Sequence, residues 1–175
     1  MFFSLNYRNG DIDNGLTIGG RNSYDKTTSI GLAAGMRVFI CDNLAFSGDQ
    51  VTYLRKHTGK VFDDLEIMLM RIMKGANNEF IKMNELSKKM QETYMNNIEA
   101  WKMLGLLFGR GILSPRQLPV VKKEWKKPRY EQFQEKNLWS FYNACTEALK
   151  STPPKDMLTR HVELHKELAI VTGVA

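Results

Sequence analysis

Cysteine is scarce in this sequence, which has only Cys41 and Cys145 among 175 residues, each surrounded by apolar neighbours. Two distant cysteines of this kind are typical of reduced core side chains, and they argue against a disulfide framework or a zinc knuckle. No apolar run approaches the roughly 20 residues that a membrane helix needs. Residues 1–8 carry no basic leader, and their apolar run is too short for a signal peptide. We therefore expect a cytoplasmic protein that does not enter the membrane.

Motifs for catalysis and nucleotide binding are also missing. The sequence contains no phosphate-binding loop, no dinucleotide fingerprint and no serine nucleophile elbow. Hydrophobic residues make up 43% and charged residues 25% of the chain, which is close to the globular average and argues against intrinsic disorder. We expect one domain over residues 1–175, and its net charge of +6 favours an anionic partner.

Residues 1–57 are predicted to be strand-rich and to form a small antiparallel sheet. Apolar residues alternate with polar ones from Phe3 to Tyr7, which is the period of a half-buried strand. Asn-Gly turn dipeptides separate this strand from a return strand at residues 16–20. Residues 36–41 are the best strand candidate; they are apolar on both faces near the end, so we expect this strand to be central.

Residues 58–175 are predicted to be helical, which gives an α+β fold with a mostly helical C-terminal two-thirds. The first helix begins near residue 61, and Gly75 is placed to end it. Ile67 and Met70 fall off its apolar face, so we expect that helix to touch a second helix or another subunit.

A second helix is predicted to begin at Asn78 and to carry one apolar stripe as far as Phe108. Gly109 and Gly111 are placed to stop it. Ser114-Pro115 has the pattern of a cap followed by proline at the first helical position. Two further helices are predicted, one with an apolar side from Leu138 to Leu149 and one over residues 156–171.

Positive charge is concentrated between residues 110 and 136. This stretch has eight basic and three acidic residues, so it carries +5 of the chain's +6. Lysine and arginine neutralise phosphates, and the interleaved aromatic rings can stack on exposed bases. The candidate binding residues are Arg110, Arg116, Lys122, Lys123, Trp125, Lys126, Lys127, Arg129 and Tyr130. The alternative is a solvated basic surface whose aromatic side chains pack inward.

His161 and His165 lie four residues apart on the last predicted helix, which is a spacing used by metal ligands. A metalloprotease would need glutamate directly after the first histidine, where this chain has Val162. No third ligand is evident. We therefore predict that both histidines are packed against the core, and we expect no metal and no cofactor.

A second polar site is a candidate near the N-terminus. Its residues are Arg21, Asn22, Asp25, Lys26, Asp42 and His57. Cys41 and His57 would form a nucleophilic pair if they met, with Asp25 or Asp42 as acid, base or metal ligand. The structural alternative is a core cysteine followed by an Asx turn, and a capped turn at residues 22–25.

Three short elements follow one another in this region, namely Arg21-Asn22-Ser23-Tyr24-Asp25-Lys26, Cys41-Asp42-Asn43 and Lys56-His57-Thr58. Together with residues 139–147 they resemble a family of phage- and plasmid-encoded proteins classed only as a domain of unknown function. Tyr24 stands where that family usually has histidine, which weakens a catalytic role, and no activity carries over from the family. Its members usually have a longer segment before the first element, so the resemblance implies a short version. An uncovered sheet edge would then favour self-association or docking on a larger partner.

The sequence thus predicts a non-enzymatic accessory protein of a phage or other mobile element, acting in the host cytoplasm. It would bind nucleic acid or a nucleoprotein complex through residues 110–136, and a homo-oligomer is a further expectation. One alternative is an inhibitor of host defence, of the anti-restriction or anti-CRISPR type, that binds a protein effector. The other is a metal- or cysteine-dependent hydrolase that uses Cys41, Asp25, Asp42 and His57.

Overall fold

The computed structural model describes residues 2–7, 14–21, 31–38, 41, 43–46 and 61–173. Within these residues one antiparallel sheet has the strand order β1-β2-β3-β4, formed by β1 (Phe2–Tyr7), β2 (Asn14–Arg21), β3 (Gly31–Val38) and β4 (Asn43–Phe46). The helices are α1 (Val61–Glu92), α2 (Asn97–Gly109), α3 (Leu118–Lys126), α4 (Leu138–Leu149) and α5 (Pro154–Val171), and a 3-10 turn covers Glu131–Phe133. The predicted α+β fold class is confirmed.

The sheet lies between α1 and α5, and β2 and β3 are its two interior strands. Side chains alternate across a strand. Leu32 and Ala34 of β3 therefore pack on α1, while Ala33 points the other way and packs against Leu158 of α5. The central position predicted for residues 36–41 is confirmed for the part that lies in β3. The strand itself begins earlier, at Gly31, and β4 was not predicted.

Helix α1 is a single helix of 32 residues. The predictions that Gly75 ends it and that Asn78 begins another helix are wrong. Ile72 and Ala76, on either side of Gly75, are both buried against the sheet, and Met83 continues the buried face. This continuous burial outweighs the cost of a glycine inside a helix, which is about 1 kcal/mol.

The helical chain instead breaks at residues 93–96, where Asn96 caps α2. The Asn96 side chain accepts a hydrogen bond from the Glu99 N–H at 3.0 Å, and the Glu99 carboxylate accepts one from the Asn96 N–H at 2.8 Å. This reciprocal pair is a capping box, which satisfies two helix-terminal donors. The buried face of α2 is then Ala100, Leu104 and Leu107.

The break also changes which side chains are buried. Tyr94, Ile98 and Phe108, predicted to belong to one buried stripe, are 72%, 67% and 44% exposed. Two backbone hydrogen bonds hold the broken segment beside the start of α4, because residues 93–95 pair with residues 136–138. The prediction of one continuous stripe up to Phe108 is therefore wrong, although α2 ends at Gly109 as predicted.

Helix α3 begins at Leu118, not at Ser114-Pro115 as predicted. Pro119 lies in its first turn, where a missing N–H costs no hydrogen bond. The segment before it is a turn in which the Gln117 side chain accepts a hydrogen bond from the Ser114 N–H at 2.8 Å. The Gln117 amide also donates to the Ala148 carbonyl of α4 at 3.1 Å, which fixes the entry to α3.

Helix α4 is the central helix, since eleven of its twelve residues are buried. The predicted apolar side from Leu138 to Leu149 is confirmed, and the opposite side is buried as well. Helix α5 begins two residues before the predicted start and ends at Val171, as predicted. None of the helices in the described part of the chain is long and apolar enough to cross a membrane.

A pair of asparagines joins the sheet to α4. The Asn43 amide donates to the Asn143 side-chain oxygen at 3.0 Å and to the Asn143 carbonyl at 3.2 Å. The Asn143 amide in turn donates to the Trp139 carbonyl at 3.0 Å. Both asparagines are almost fully buried, so these hydrogen bonds replace lost contacts with water.

Replacing Asn143 with alanine should lower the free energy of unfolding by about 1–3 kcal/mol, because it leaves the buried Asn43 amide short of an acceptor. Urea unfolding followed by circular dichroism measures the loss. The exposed amide of Gln91 on α1 is the matched control, and Gln91→Ala should change stability by no more than about 0.5 kcal/mol. Equal effects of the two substitutions would contradict the role of the asparagine pair.

Candidate nucleic-acid interface

Two arginines of the basic stretch are engaged in ion pairs within the fold. Arg110 pairs with Glu167 of α5. Arg129 holds two carboxylates at once, with Nε 2.7 Å from Glu124 and Nη2 2.6 Å from Glu147. Both were predicted to bind a ligand. Their ion pairs tie the segments around α3 to α4 and α5, while both side chains remain about half exposed, so ligand binding by either arginine stays a prediction.

Trp125 was predicted to stack on a ligand, but its ring is buried with 1% of its surface exposed. Its Nε1 donates to the Asn97 side chain at 2.9 Å, and its ring meets Phe141 edge-on at 5.8 Å between centroids. Lys136 lies 4.5 Å from the same ring, donates to the Trp125 carbonyl, and has its pKa lowered by burial. The inward-packing alternative is therefore correct for Trp125.

Tyr130 is only half-buried and remains partly accessible. Its ring packs edge-on against the buried Phe133, with 6.2 Å between ring centroids.

The five remaining basic residues of the stretch are on the surface, and four of them lie on or directly after α3. They are Arg116, Lys122, Lys123, Lys126 and Lys127. Glu124 is the one acidic residue of α3, and it is buried against Arg129. The exposed charged residues of α3 are therefore all basic.

A groove of about 360 Å³ runs between α2 and α3, and we call it the Trp101 groove. The ammonium groups of Lys122 and Lys126 lie 5.9 and 6.0 Å from the centre of the Trp101 ring. Its lining residues are Trp101, Leu104, Gly105, Phe108, Leu118, Lys122 and Lys126. The groove thus combines an aromatic face with two cations.

Helical spacing explains why these side chains meet. Residues three or four apart share one face of a helix. Trp101, Gly105 and Phe108 follow that spacing on α2, and Lys122 and Lys126 follow it on α3. The space above Gly105 is open, because an added Cβ at that position would have no atom within 4 Å.

Trp101 was missed as a site residue because it was assigned to a continuous buried stripe. The ring is in fact partly exposed. A usable signal was present in the sequence, since asparagine at position 96 and glutamate at position 99 have the spacing of a capping box. That spacing predicts a helix that begins at residue 97. A separate helix from this point changes which of the later residues face the core.

The second polar site lies mostly outside the described residues. These residues include Cys41 and the backbone of Arg21, but not Asn22, Asp25, Lys26, Asp42 or His57. Cys41 is buried, with Sγ 3.9 Å from both the Val38 carbonyl and the Asn143 side-chain oxygen. The hydrolase therefore stays a prediction, and the core position expected in its structural alternative is confirmed for Cys41.

The packing predicted for the two histidines is confirmed. His161 is 2% exposed, and His165 is half-buried with its ring edge-on to Tyr142 at 6.4 Å. Burial lowers the pKa of His161 to about 4, although a hydrogen bond with the Leu44 backbone favours the charged form. Among the described residues, no group of three histidine, cysteine, aspartate or glutamate side chains is placed to hold a metal ion.

Acid should destabilise the protein through His161. The unfolded side chain binds its proton near pH 6.5, whereas the folded one binds it only near pH 4. Between these values the unfolded state holds more protons, so the free energy of unfolding falls as the pH falls. We expect a loss of about 2 kcal/mol from pH 7 to pH 5 that is missing in His161→Gln. Urea unfolding at both pH values measures it, and an equal loss in the variant would contradict this assignment.

No protein-family model, curated protein or solved structure matches the chain. The resemblance to phage- and plasmid-encoded proteins therefore stays a prediction.

Proposed function

We propose that the protein is a non-enzymatic nucleic-acid-binding protein that holds single strands in the Trp101 groove. The observation that carries the proposal is the placement of two lysine ammonium groups around one indole ring, beside the apolar Phe108 and Leu118. Aromatic faces stack on unpaired bases, and lysines neutralise the neighbouring phosphates. Both kinds of contact are needed for this ligand, and the groove offers both.

The interaction free energies favour a base stacked on the Trp101 ring over the two lysines that lie near it. At 5.9 and 6.0 Å the two ammonium groups lie at the outer limit of a cation–π contact, which is worth about 0.5–1 kcal/mol at exposed sites. Stacking of one base is worth about 1–3 kcal/mol. A base can therefore displace the lysines from the ring, and each lysine is then free to pair with a phosphate.

The lining of the groove also predicts low sequence selectivity. Apart from the two lysines, the side chains that line it are apolar or aromatic. Base edges are recognised by hydrogen bonds, whereas lysine–phosphate contacts carry no sequence information. The groove volume lies near the lower end of the range for ligand pockets, about 300–1,000 Å³, which is suited to one nucleotide. Two phosphate contacts would give a slope of about −1.4 in a plot of log affinity against log salt concentration.

The setting in a mobile element and the host cytoplasm belong to the same proposal. They are supported by the resemblance of the elements around Asp25, Cys41 and His57. Inhibition of a host defence effector would be a different function. It would require binding to a protein that persists after nuclease treatment.

Charge reversal on one face of α3 should separate groove binding from general attraction. The double variant Lys122→Glu/Lys126→Glu should weaken binding of a labelled single-stranded oligonucleotide by about tenfold or more, or at least about 1.4 kcal/mol. The matched control is Lys123→Glu/Lys127→Glu, which makes the same change in net charge without touching the groove lining. Fluorescence anisotropy at low salt measures both. Equal losses in the two variants would reduce the binding to nonspecific electrostatics and overturn the role of the groove.

Removal of the ring should affect single strands and spare duplexes, because paired bases cannot reach it. We expect Trp101→Ala to weaken single-strand binding by about 1–3 kcal/mol, and Trp101→Phe to weaken it less. Binding of a duplex of the same length should change little. Quenching of tryptophan fluorescence by the oligonucleotide should disappear in Trp101→Phe, because Trp125 and Trp139 are buried. Unchanged quenching in that variant would rule out stacking on Trp101.

A further inference from the structure

The first turns of α1 present an apolar face to solvent. Ile67, Met70 and Met73 are 56%, 56% and 62% exposed, and they follow one another every three residues along the helix. We call these three residues the Met70 stripe. The buried face of α1 at the same level holds Ile72 and packs on the sheet, so the stripe points away from the fold. A contiguous exposed apolar face of this kind marks an interaction surface.

Two exposed charges of opposite sign flank the stripe symmetrically. Glu66 lies four residues before Met70, and Lys74 lies four residues after it. Ile67 and Met73 lie three residues before and after the same position. When two copies of such a helix run antiparallel about Met70, residues equally far from it come to the same level. Glu66 of one copy then meets Lys74 of the other copy twice, once on each side of the two-fold axis.

We propose that the Met70 stripe is the interface of a homodimer, in which α1 of one copy packs antiparallel on α1 of a second copy. A two-fold interface uses the same patch on both partners, and it must therefore be complementary to itself. The stripe meets that condition. The apolar residues of one copy face those of the other, and Glu66 of each copy pairs with Lys74 of the other. In a parallel pair Glu66 would face Glu66 and Lys74 would face Lys74, which is repulsive.

The chemistry of the stripe fits such a contact. Methionine side chains are flexible and adapt to irregular apolar surfaces. Helices pack with their axes about 8–10 Å apart, which brings the central residue of each helix against that of its partner. From Glu66 to Lys74 the stripe covers about 12 Å of helix. This contact is smaller than a standard interface of about 800 Å² per partner, so we infer a weak dimer that dissociates on dilution.

The dimer is independent of the proposed function, because the Met70 stripe and the Trp101 groove share no residue. The test is sedimentation velocity of the full chain over a range of about 10 µM to 1 mM, which covers weak dissociation constants. The measured mass should rise from that of a monomer toward twice that value. A monomer at every concentration overturns the proposal.

Charge exchange tests the antiparallel arrangement. Glu66→Lys and Lys74→Glu should each weaken the dimer about tenfold, because each places like charges together twice. The double variant Glu66→Lys/Lys74→Glu should return the dissociation constant to within about threefold of the original value. Glu85→Lys and Lys88→Glu, which make the same charge changes on exposed residues of α1 outside the stripe, should have little effect.

Two further results would overturn the arrangement. One is that the single variants leave the dimer unchanged, and the other is that the double variant fails to restore it. Met70→Glu should abolish dimerisation outright, and circular dichroism of each variant confirms that the helical content is retained. Oligonucleotide affinity per chain should be unaffected by Glu66→Lys when the protein is dilute enough to be monomeric, so failure of the dimer leaves the groove proposal standing.

Discussion

Burial of α4 on every side is the constraint on which the rest of the structure depends. A helix buried all round must hydrogen-bond most of its polar groups inside the protein. Asn143 meets this demand by accepting from Asn43 and donating to the backbone of α4, and the Thr146 hydroxyl donates to the Asn143 carbonyl at 3.0 Å. The sheet, α3 and α5 all pack on α4. The position of α3, and therefore of the groove, follows from the packing of Trp125 on Phe141.

The basic stretch has two functions in the fold that its composition does not distinguish. Arg110, Arg129 and Lys136 hold neighbouring segments together, while the lysines on the outer face of α3 remain at the surface. Glu124 turns inward toward Arg129, which leaves that outer face without a negative charge. A net charge counted over the sequence therefore does not separate charges that form contacts within the fold from those of the α3 lysines.

Much of the fold follows from the sequence, because long periodic segments and alternating strands carry their own signals. Strands β1 and β2 and helices α4 and α5 were predictable on that basis, with errors of about two residues at their ends. The stop at Gly75 was wrong because burial of Ile72 and Ala76 outweighs a local preference. The groove was harder to predict. The exposure of Trp101 depends on the break at residues 93–96, which changes which residues of the following helix face the core. Such breaks decide which residues become neighbours in space, and the charge composition of a sequence gives no information about where the breaks lie.

The two cysteines give the protein a particular relation to its redox environment. Cys145 is fully buried, and burial raises the pKa of its thiol, so the reactive thiolate is essentially absent while α4 is packed. The Cys41 thiol is enclosed beside Asn143. Oxidants and thiol reagents therefore have little access to the folded chain, whereas an unfolded chain would expose both sulfurs at once. Folding thus protects the two thiols chemically, and a change of redox compartment affects the protein chiefly through its unfolded fraction.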